Sequence, residues 1–349
     1  MERVESGAKH ILEGSRPARV PRFTAASGLG LAIVLAAAAT LLGRAVPVIG
    51  PAVIAIVLGV LVRVTVNPGA WATPGISFAS RRLLQLAIVL LGTGLGLGTV
   101  LRVGAGSLPV MAVTLAAALG GGLLIGRALG VERPLRTLLA VGTGICGASA
   151  IAAAATVLEV EAVEIAYAIS TIFVFNIAAV LLFPPVGHLL GLGQHDFGLW
   201  AGTAVNDTSS VVAAGYAYGH AAGAYAVVVK LTRTTLIVPI VLCLAVLERR
   251  RAGVETPSAR RWTTYVPGFL VLFVVAAAAN SAGLFSANVR HDLASSALFL
   301  IAVAIAAVGL SAQPAGIRAA GPRPLLLGGL LWLLVAATSL AVQGLTGHL

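Results

Sequence analysis

The residues best suited to chemistry in this chain are a few polar side chains inside long apolar segments. Asp207 lies in the run Asn206-Asp207-Thr208-Ser209-Ser210, and Lys230 and Arg233 follow in the next apolar segment, three positions apart. That spacing puts both cations on one face of a helix. An ionisable group within a membrane-spanning segment indicates a functional site by default. Two cations and one acid leave a positive surplus, which a bound oxyanion would offset through the planar donor fork of Arg233.

A second polar run, residues 142–149, reads Gly-Thr-Gly-Ile-Cys-Gly-Ala-Ser and predicts a broken helix. Unwound backbone at membrane depth is tolerated only where protein or a water-filled cavity satisfies its polar groups. Discontinuous helices of this kind mark substrate sites in secondary transporters. We therefore expect the two runs and the two cations to bind substrate through Thr143, Gly144, Cys146, Gly147, Ser149, Asn206, Thr208, Ser209, Ser210, Lys230 and Arg233. Asp207, together with Asn206, is the expected site of a coupling ion or proton.

Each of these residues also has a purely structural interpretation, which the sequence leaves open. Glycines at 142–149 are compatible with close packing of small-residue helices in lipid. Asp207 is compatible with a hydrogen-bond hub or an ion pair between helices. Lys230 or Arg233 is compatible with a side chain that extends to a membrane interface. Asn176 is compatible with an interhelical hydrogen bond as well as with a cavity.

Composition decides the surroundings of these groups. The chain has 349 residues, of which 58% are hydrophobic and only 10% are charged, whereas soluble domains have about 25% charged residues. The two cysteines exclude a disulfide scaffold. No metal-binding motif and no nucleophile–base–acid arrangement occurs in polar surroundings, so we expect no enzyme activity and no cofactor. The sequence predicts an all-α polytopic membrane protein whose first partner is the lipid bilayer.

Hydropathy predicts about 11 transmembrane helices, because a span needs about 20 apolar residues. They are residues 25–43, 45–62, 83–101, 107–126, 137–157, 165–188, 197–215, 221–247, 264–283, 293–312 and 324–345. Residues 1–24 form a basic arm, and residues 25–349 form one transmembrane domain.

The loop charges orient these predicted spans. With the N-terminus in the cytoplasm and the C-terminus outside, 18 of the 23 basic residues lie on the inner side and three on the outer side, as the positive-inside rule requires. The net charge of +11 is therefore a topology signal in a cell inner (plasma) membrane, not a nucleic-acid patch. The acidic residues Glu159, Glu161 and Glu164 fall on the predicted outer side. The first span is interpreted as a retained helix, although a cleaved signal peptide has a similar start.

The runs at 142–149 and 206–210, with Val-Lys-Leu-Thr-Arg at 229–233, resemble the YeiH-like bacterial inner-membrane proteins, a family labelled as sulfate exporters. The resemblance covers most of the chain beyond residue 45. Many relatives have a His-Glu-containing stretch where this chain has residues 206–210, so the label is not taken as a substrate assignment.

This resemblance implies a distant likeness to the superfamily of bile-acid symporters and cation/proton antiporters, with two inverted five-helix repeats and broken, crossing helices. The repeats would be residues 45–190 and 197–345, preceded by one extra helix. Their fourth spans, 137–157 and 293–312, each contain a glycine-rich interruption, and residues 309–316 are a second candidate break. The Gly-Thr pairs at 142 and 202, in the fifth and seventh spans, lie two spans apart, hence parallel, and are not expected to be the inverted pair.

Together these features predict a secondary transporter that exports a small anion, sulfate or another oxyanion or carboxylate, by an elevator-like mechanism with Na⁺ or H⁺ coupling. A cation/proton antiporter with its ion site at Asn206 and Asp207 is the alternative. A non-transporting membrane sensor or scaffold is the alternative from another class. The sequence is compatible with a homodimer.

Overall fold

The computed structural model describes residues 22–45, 50–158, 160–252, 268–312 and 321–347. Within these ranges all regular structure is helical. Most of the predicted arm, residues 1–21, lies outside the described residues, as does the predicted break at 309–316 from residue 313 onward.

The first half of the chain begins with four helices joined by short connections. These are α1 (Arg22–Ala45), α2 (Gly50–Thr65), α3 (Thr73–Phe78) and α4 (Leu84–Gly92), with a π-helical turn, Ala79–Leu83, between α3 and α4. The helix α5 (Leu97–Ala128) follows, then α6 (Arg133–Gly144), α7 (Ala148–Leu158) and α8 (Ala162–Leu189). The span predicted at 83–101 corresponds to the helical stretch Thr73–Gly92, which begins earlier in the chain, and α5 already begins at Leu97.

The second half contains α9 (Gln194–Ala204), α10 (Thr208–Tyr218), α11 (His220–Thr235) and α12 (Ile237–Ala252). The last three helices are α13 (Gly268–Ser281), α14 (Ala287–Leu310) and α15 (Pro322–Leu345). The kink between α11 and α12 falls at Leu236, three residues before Pro239, because proline removes a helical hydrogen bond and displaces the preceding turn. In contrast, α14 is unbroken to Leu310, so the interruption predicted within 293–312 is absent as far as Leu310.

Within the described ranges, seven helical stretches are long and apolar enough to cross a membrane, and the polytopic all-α prediction is confirmed. They are Ala26–Gly43, Thr73–Gly92, Leu97–Ala128, Ala162–Leu189, His220–Leu247, Ala287–Leu310 and Pro322–Leu345. The helices α2 and α13 are shorter apolar helices.

Helices α9 and α10 form a hairpin, not a crossing helix. Gln194, the first residue of α9, accepts a hydrogen bond from the backbone of Ala222 through its Oε1 (3.0 Å) and packs on Gly219, directly after α10. Both ends of the hairpin are therefore adjacent. Each arm has 11 residues, or about 16 Å, which is half the thickness of a hydrocarbon core. The prediction of a span at 197–215 is wrong.

Helices α6 and α7 form a second hairpin that enters from the opposite end of α8. A Cβ atom built on Gly142 would lie 2.9 Å from Ile151 Cδ1, so the chain folds back around residues 145–147. Helix α8 begins just after α7 ends and runs for 28 residues to the start of α9. The predicted span at 137–157 is thus a re-entrant pair of half-helices, so within the described residues neither this segment nor 197–215 forms a full crossing.

Glu161 and Glu164 do not lie at the end of the molecule predicted for them, and Glu159 lies outside the described residues. Glu161 and Glu164 form a capping box at the start of α8, where the backbone N–H of Glu161 donates to Glu164 Oε2 (3.0 Å). Since α7 returns to the end from which α6 began, these acids lie at the end that also contains Arg127, Arg133 and Arg136, here called the basic face. The loops 158–161 and 189–193 contain no Lys or Arg, so loop charge could not reveal the two hairpins.

The helices pack in two groups. In one, α1 to α4, α13 and α14 share a core of small and aliphatic residues around Ile56 and Ile305. In the other, the two hairpins pack with α8, α11 and α15, whose aromatic residues include a Phe183–Trp200 stack (ring centroids 4.1 Å apart). The long helix α5 packs chiefly against α6 and α15, where Gly122 allows close contact with Ala140.

Hairpin topology gives a direct labelling prediction. In a variant without native cysteines, His195→Cys and His220→Cys are expected to react with a membrane-impermeant maleimide from the same side. Glu132→Cys and Glu161→Cys are expected to react together from the other side, because each pair flanks one hairpin. Labelling of either pair from opposite sides would restore a crossing helix.

Candidate functional site

The tips of the two hairpins meet halfway along α8. A Cβ atom built on Gly147, at the tip of the first hairpin, would lie 3.7 Å from the Cβ of Asp207, at the tip of the second. Ile172 of α8 packs against Gly147, and Asn176, one turn later, accepts a hydrogen bond from the Asp207 backbone N–H (3.2 Å). The break predicted at 142–149 is therefore present, and the chain is also interrupted at 205–207, beside the predicted polar run, so that the two segments are brought together.

Lys230 ties the two tips to each other. Its side chain is fully buried, and its Nζ donates to Ile145 O (2.8 Å) and to Val205 O (2.9 Å). Ile145 directly follows α6, and Val205 directly follows α9. One ammonium group thus bonds to the carboxyl ends of both entering half-helices.

Arg233, one turn further along α11, repeats this arrangement with a planar group. It is also fully buried; its Nε donates to Gly144 O (2.8 Å), its Nη2 to Thr143 O (3.0 Å) and its Nη1 to Thr203 O. The last carbonyls of a helix have no intrahelical partner, and the helix dipole places partial negative charge there. The two cations therefore satisfy and neutralise two buried helix C-termini at once.

Lys230 and Arg233 were expected to contact a substrate anion. In the structure, the bonds described above direct both side chains to backbone carbonyls of the hairpins. These bonds stabilise the two tips.

The two tips also match in sequence, contrary to the prediction that the Gly-Thr pairs are unrelated by inversion. Residues 142–153 read GTGICGASAIAA and residues 202–213 read GTAVNDTSSVVA. Lys230 binds equivalent carbonyls at 145 and 205, and Arg233 binds equivalent carbonyls at 143 and 203. The inference of parallel spans assumed full crossings; because the two runs lie in hairpins that enter from opposite ends of α8, they are antiparallel to each other.

Asp207 is the position at which the matched tips differ in charge. Its carboxylate caps α10, accepting hydrogen bonds from the backbone N–H of Ser209 (3.0 Å) and from the Ser209 hydroxyl. The equivalent residue is Gly147, whose φ of +66° lies in the left-handed region that glycine adopts without strain. One tip thus has an acid at the amino end of its second half-helix, and the other has none.

A cavity of about 560 Å³ adjoins the amino ends of both second half-helices. Ala148, the first residue of α7, lines it, as do Asp207 and Ser209 at the start of α10. The ends of α2 and α14 and the first half of α8 form other walls, so the cavity lies between the hairpin tips and the basic face. The first four N–H groups of a helix have no intrahelical partner, which makes such ends favourable for negative charge.

Two arginines and several hydroxyls line the same cavity. Arg63 contributes from the end of α2 and is held by Ala312 O (3.1 Å) and Pro68 O (3.0 Å). Arg81 contributes from the π-helical turn, a form that is frequent at functional sites. The polar lining is completed by Thr73, Ser77, Ser80, Ser170, Asn176 and Ser311.

Sequence reasoning missed Arg63 and Arg81 as site residues because both were counted as loop charges that orient spans. Their distance along the chain from 142–233 gave no sign of proximity. Asn176 was noted, and the structure places it both in the cavity and in a hydrogen bond.

The remaining predicted site residues divide between the cavity and the protein interior. Ser209 lines the cavity, whereas Cys146, Ser210 and Thr143 are buried, and the Oγ1 of Thr143 has no hydrogen-bond partner. Asn206 is only 1% exposed, and neither polar atom of its amide has a hydrogen-bond partner. Unlike Asp207, it does not line the cavity. Gly144 lies among the capped carbonyls. Thr208 is half-buried and Ser149 exposed, both in the first turn of a second half-helix.

Among the residues that the structure describes, no group of three or more His, Cys, Asp or Glu side chains could hold a metal ion.

The capping role of Lys230 gives a stability prediction. Lys230→Met removes the donor of two buried carbonyls, and each such loss costs about 1–3 kcal/mol. We expect a clear drop in the midpoint of thermal unfolding in detergent, measured against Arg102→Gln, an exposed arginine at the start of α5. An unchanged midpoint would contradict the assignment of Lys230 as the tie between the tips.

Comparison with known proteins places the chain among bacterial membrane proteins. A "UPF0324 membrane protein" of Clostridium tetani is 38% identical over 335 residues, covering 92% of this chain and 97% of the relative. Relatives with the same description in Streptococcus pyogenes serotype M6 and Streptococcus mutans are 40% and 37% identical, covering 90% and 93% of this chain and 96% and 98% of their own lengths.

The family model described as "Conserved hypothetical protein 698" matches residues 27–328, which include both hairpins, the cavity and the two capping cations. The resemblance to YeiH-like proteins noted from the sequence is consistent with this match. The chain belongs to the conserved hypothetical protein 698 family of UPF0324 membrane proteins.

Proposed function

We propose that this protein is a secondary transporter that exports a small anion, sulfate or another oxyanion or carboxylate, through the cavity at the hairpin tips. The observation that supports this most directly is the arrangement of the half-helices. Their carboxyl ends are closed by Lys230 and Arg233, while the amino ends of α7 and α10 border a cavity that also contains Arg63 and Arg81. Such amino ends favour anions.

Charge supports an anionic substrate. The cavity lining contains Arg63 and Arg81 against the single acid Asp207, so an ionised Asp207 leaves one positive charge unbalanced. Arginine forms charge-assisted, bidentate hydrogen bonds with carboxylates and oxyanions. Hydroxyl groups from α3, α8 and α10 supply further donors, and the π-helical turn presents Arg81 opposite the hairpin tips.

Asp207 is the proposed coupling group, and the proton is the proposed coupling ion. Half-helix carboxyl ends and unwound carbonyls coordinate Na⁺ in other transporters, but here the Lys230 ammonium already bonds to Ile145 O and Val205 O. Asp207, which is half-buried at the cavity, remains for a proton. Protonation would remove the acid's charge and change the electrostatics next to the substrate.

The inverted hairpins support an alternating-access mechanism of the elevator type. Because the tips are matched in sequence and approach from opposite ends of α8, a cavity open to one face has a counterpart arrangement available for the other. The basic face would be cytoplasmic by the positive-inside rule, so the cavity described above would load substrate from the cytoplasm of an inner-membrane protein.

A cation/proton antiporter is the second candidate. The observation that favours it is the position of Asp207 next to Asn176 in the cavity, since a carboxylate and an amide oxygen are suitable cation ligands. In that case Arg81 would repel the substrate. A sensor or scaffold would show no flux of either kind.

The anion assignment predicts a specific role for Arg81. In proteoliposomes with labelled sulfate, and separately with labelled small carboxylates, Arg81→Gln is expected to raise the apparent KM about tenfold or more. This corresponds to the loss of a charge-assisted hydrogen bond worth about 1.5–3 kcal/mol. Its neighbour Arg82→Gln is the matched control, because both arginines are exposed but only Arg81 lines the cavity.

Equal effects of the two arginine variants would contradict anion binding at this cavity. Flux of monovalent cations with no anion flux would favour the antiporter. No flux of any tested ion would favour the sensor or scaffold.

The coupling assignment predicts that Asp207→Asn separates exchange from accumulation. Asparagine caps helices as well as aspartate, so the variant is expected to fold and to exchange labelled for unlabelled anion. Accumulation driven by a pH gradient is expected to fall at least tenfold, whereas Asp196→Asn, in the first turn of α9, keeps it. Replacing Na⁺ by choline is expected to leave flux unchanged; a requirement for Na⁺, or a pH response retained in Asp207→Asn, would contradict the assignment.

A further inference from the structure

A second concave site lies on the side of the molecule, between α5, α6 and α12. Its volume is about 220 Å³, and none of its lining residues belongs to the cavity at the hairpin tips. We call it the lateral groove. Its apolar wall includes Leu119, Leu123, Ile240, Leu244 and Leu247.

The lateral groove is open to the surroundings of the helices. Leu123 and Leu247 are 58% and 47% exposed, whereas the contact between Gly122 and Ala140 closes the groove at its base. Because α5 and the α11–α12 stretch are long enough to cross a membrane, these leucines face the acyl-chain region of a bilayer. A hydrocarbon chain is therefore the kind of group that packs favourably against this wall.

The end of the groove near the basic face is cationic. Arg133 and Arg136 line it. The stem of Arg136 packs on Gly126, where an added Cβ would lie 2.9 Å from Arg136 Cβ, and its Nε is buried without a hydrogen-bond partner. Arg323 lies close by, next to Gly130, and the one acid on the connecting loop, Glu132, is exposed.

We propose that the lateral groove binds one anionic phospholipid, with an acyl chain against the leucines and the phosphate at Arg136 and Arg133. Basic pockets between transmembrane helices at the cytoplasmic side suit anionic headgroups, and each buried methylene of an acyl chain adds to the binding free energy. A guanidinium also pairs with phosphate through charge-assisted hydrogen bonds. Unlike the substrate site, this assignment does not depend on transport activity.

The lateral groove lies at a contact between two parts of the site. It is lined by α6, the entering arm of the first hairpin, and by α12, which continues the helix that contains Lys230 and Arg233. A bound lipid therefore stabilises the contact between the first hairpin and the helix that caps it.

The test uses the full chain in neutral detergent with phosphatidylglycerol or with phosphatidylcholine of identical acyl chains. Phosphatidylglycerol is expected to raise the midpoint of thermal unfolding, as a ligand that binds only the folded state must, and native mass spectrometry is expected to show one added lipid mass. Phosphatidylcholine and glycerol phosphate alone are expected to do neither, because each lacks the net anionic headgroup or the acyl chain.

Two variants and one control make the result specific. Arg133→Gln combined with Arg136→Gln is expected to lose the phosphatidylglycerol shift, and Leu244→Trp is expected to lose it by filling the apolar wall. Arg290→Gln, an exposed arginine at the start of α14, is expected to keep it.

Equal stabilisation by both lipids, an equal loss in Arg290→Gln, or no added lipid mass would overturn the proposal. A mass shift to a dimer that the groove variants abolish, with no lipid bound, would show instead that a second copy of the chain covers the groove.

Discussion

The bonds from Lys230 and Arg233 to the ends of two half-helices are the interaction on which the rest of this structure depends. A helix that ends in the middle of a bilayer leaves carbonyl groups that no water can satisfy, and each such group costs several kcal/mol. Here five carbonyls from two chain segments converge on two neighbouring cations of α11. Burying the cations alone would be costly, and so would burying the unpaired carbonyls; when they are paired, each offsets part of the cost of the other.

This pairing separates the two ends of every break. The carbonyls at the carboxyl ends of α6 and α9 are hydrogen-bonded to Lys230 and Arg233 of α11. The half-helix ends that border the cavity are therefore the amino ends of α7 and α10. The polarity of the site therefore follows from the backbone before any side chain is considered. Asp207 modifies that polarity at one tip, where its carboxylate caps α10, and Arg63 and Arg81 supply the opposite charge from the facing helices.

Sequence reasoning found the chemically important segments but not their direction. The glycines at 142–147 predicted a break, which exists because glycine is unfavourable in a continuous helix. The polar run at 206–210 was predicted from its cost in lipid, and the structure shows that the chain is interrupted there as well. The two hairpins were predicted as full spans because hydropathy measures length and apolarity, and two arms of 11 or 12 residues have about the same total length as one span. The loops at 158–161 and 189–193, on either side of α8, contain no Lys or Arg, so placing both loops on the wrong side left the predicted balance of basic residues unchanged. Arg81 could not be assigned because its place opposite the tips depends on packing between distant helices.

The buried cations also make the molecule respond to an electric field. If the hairpins and α11 move as one body, Lys230 and Arg233 move with them, and an ionised Asp207 offsets only one of the two charges. An elementary charge that traverses a potential of 100 mV changes in energy by about 2.3 kcal/mol. If the protein transports anions as proposed, the membrane potential would act on the empty form. A form loaded with a monovalent anion would be nearly neutral, whereas one loaded with a divalent anion such as sulfate would have one net negative charge. The membrane voltage would therefore favour opposite positions of the empty and the sulfate-loaded forms.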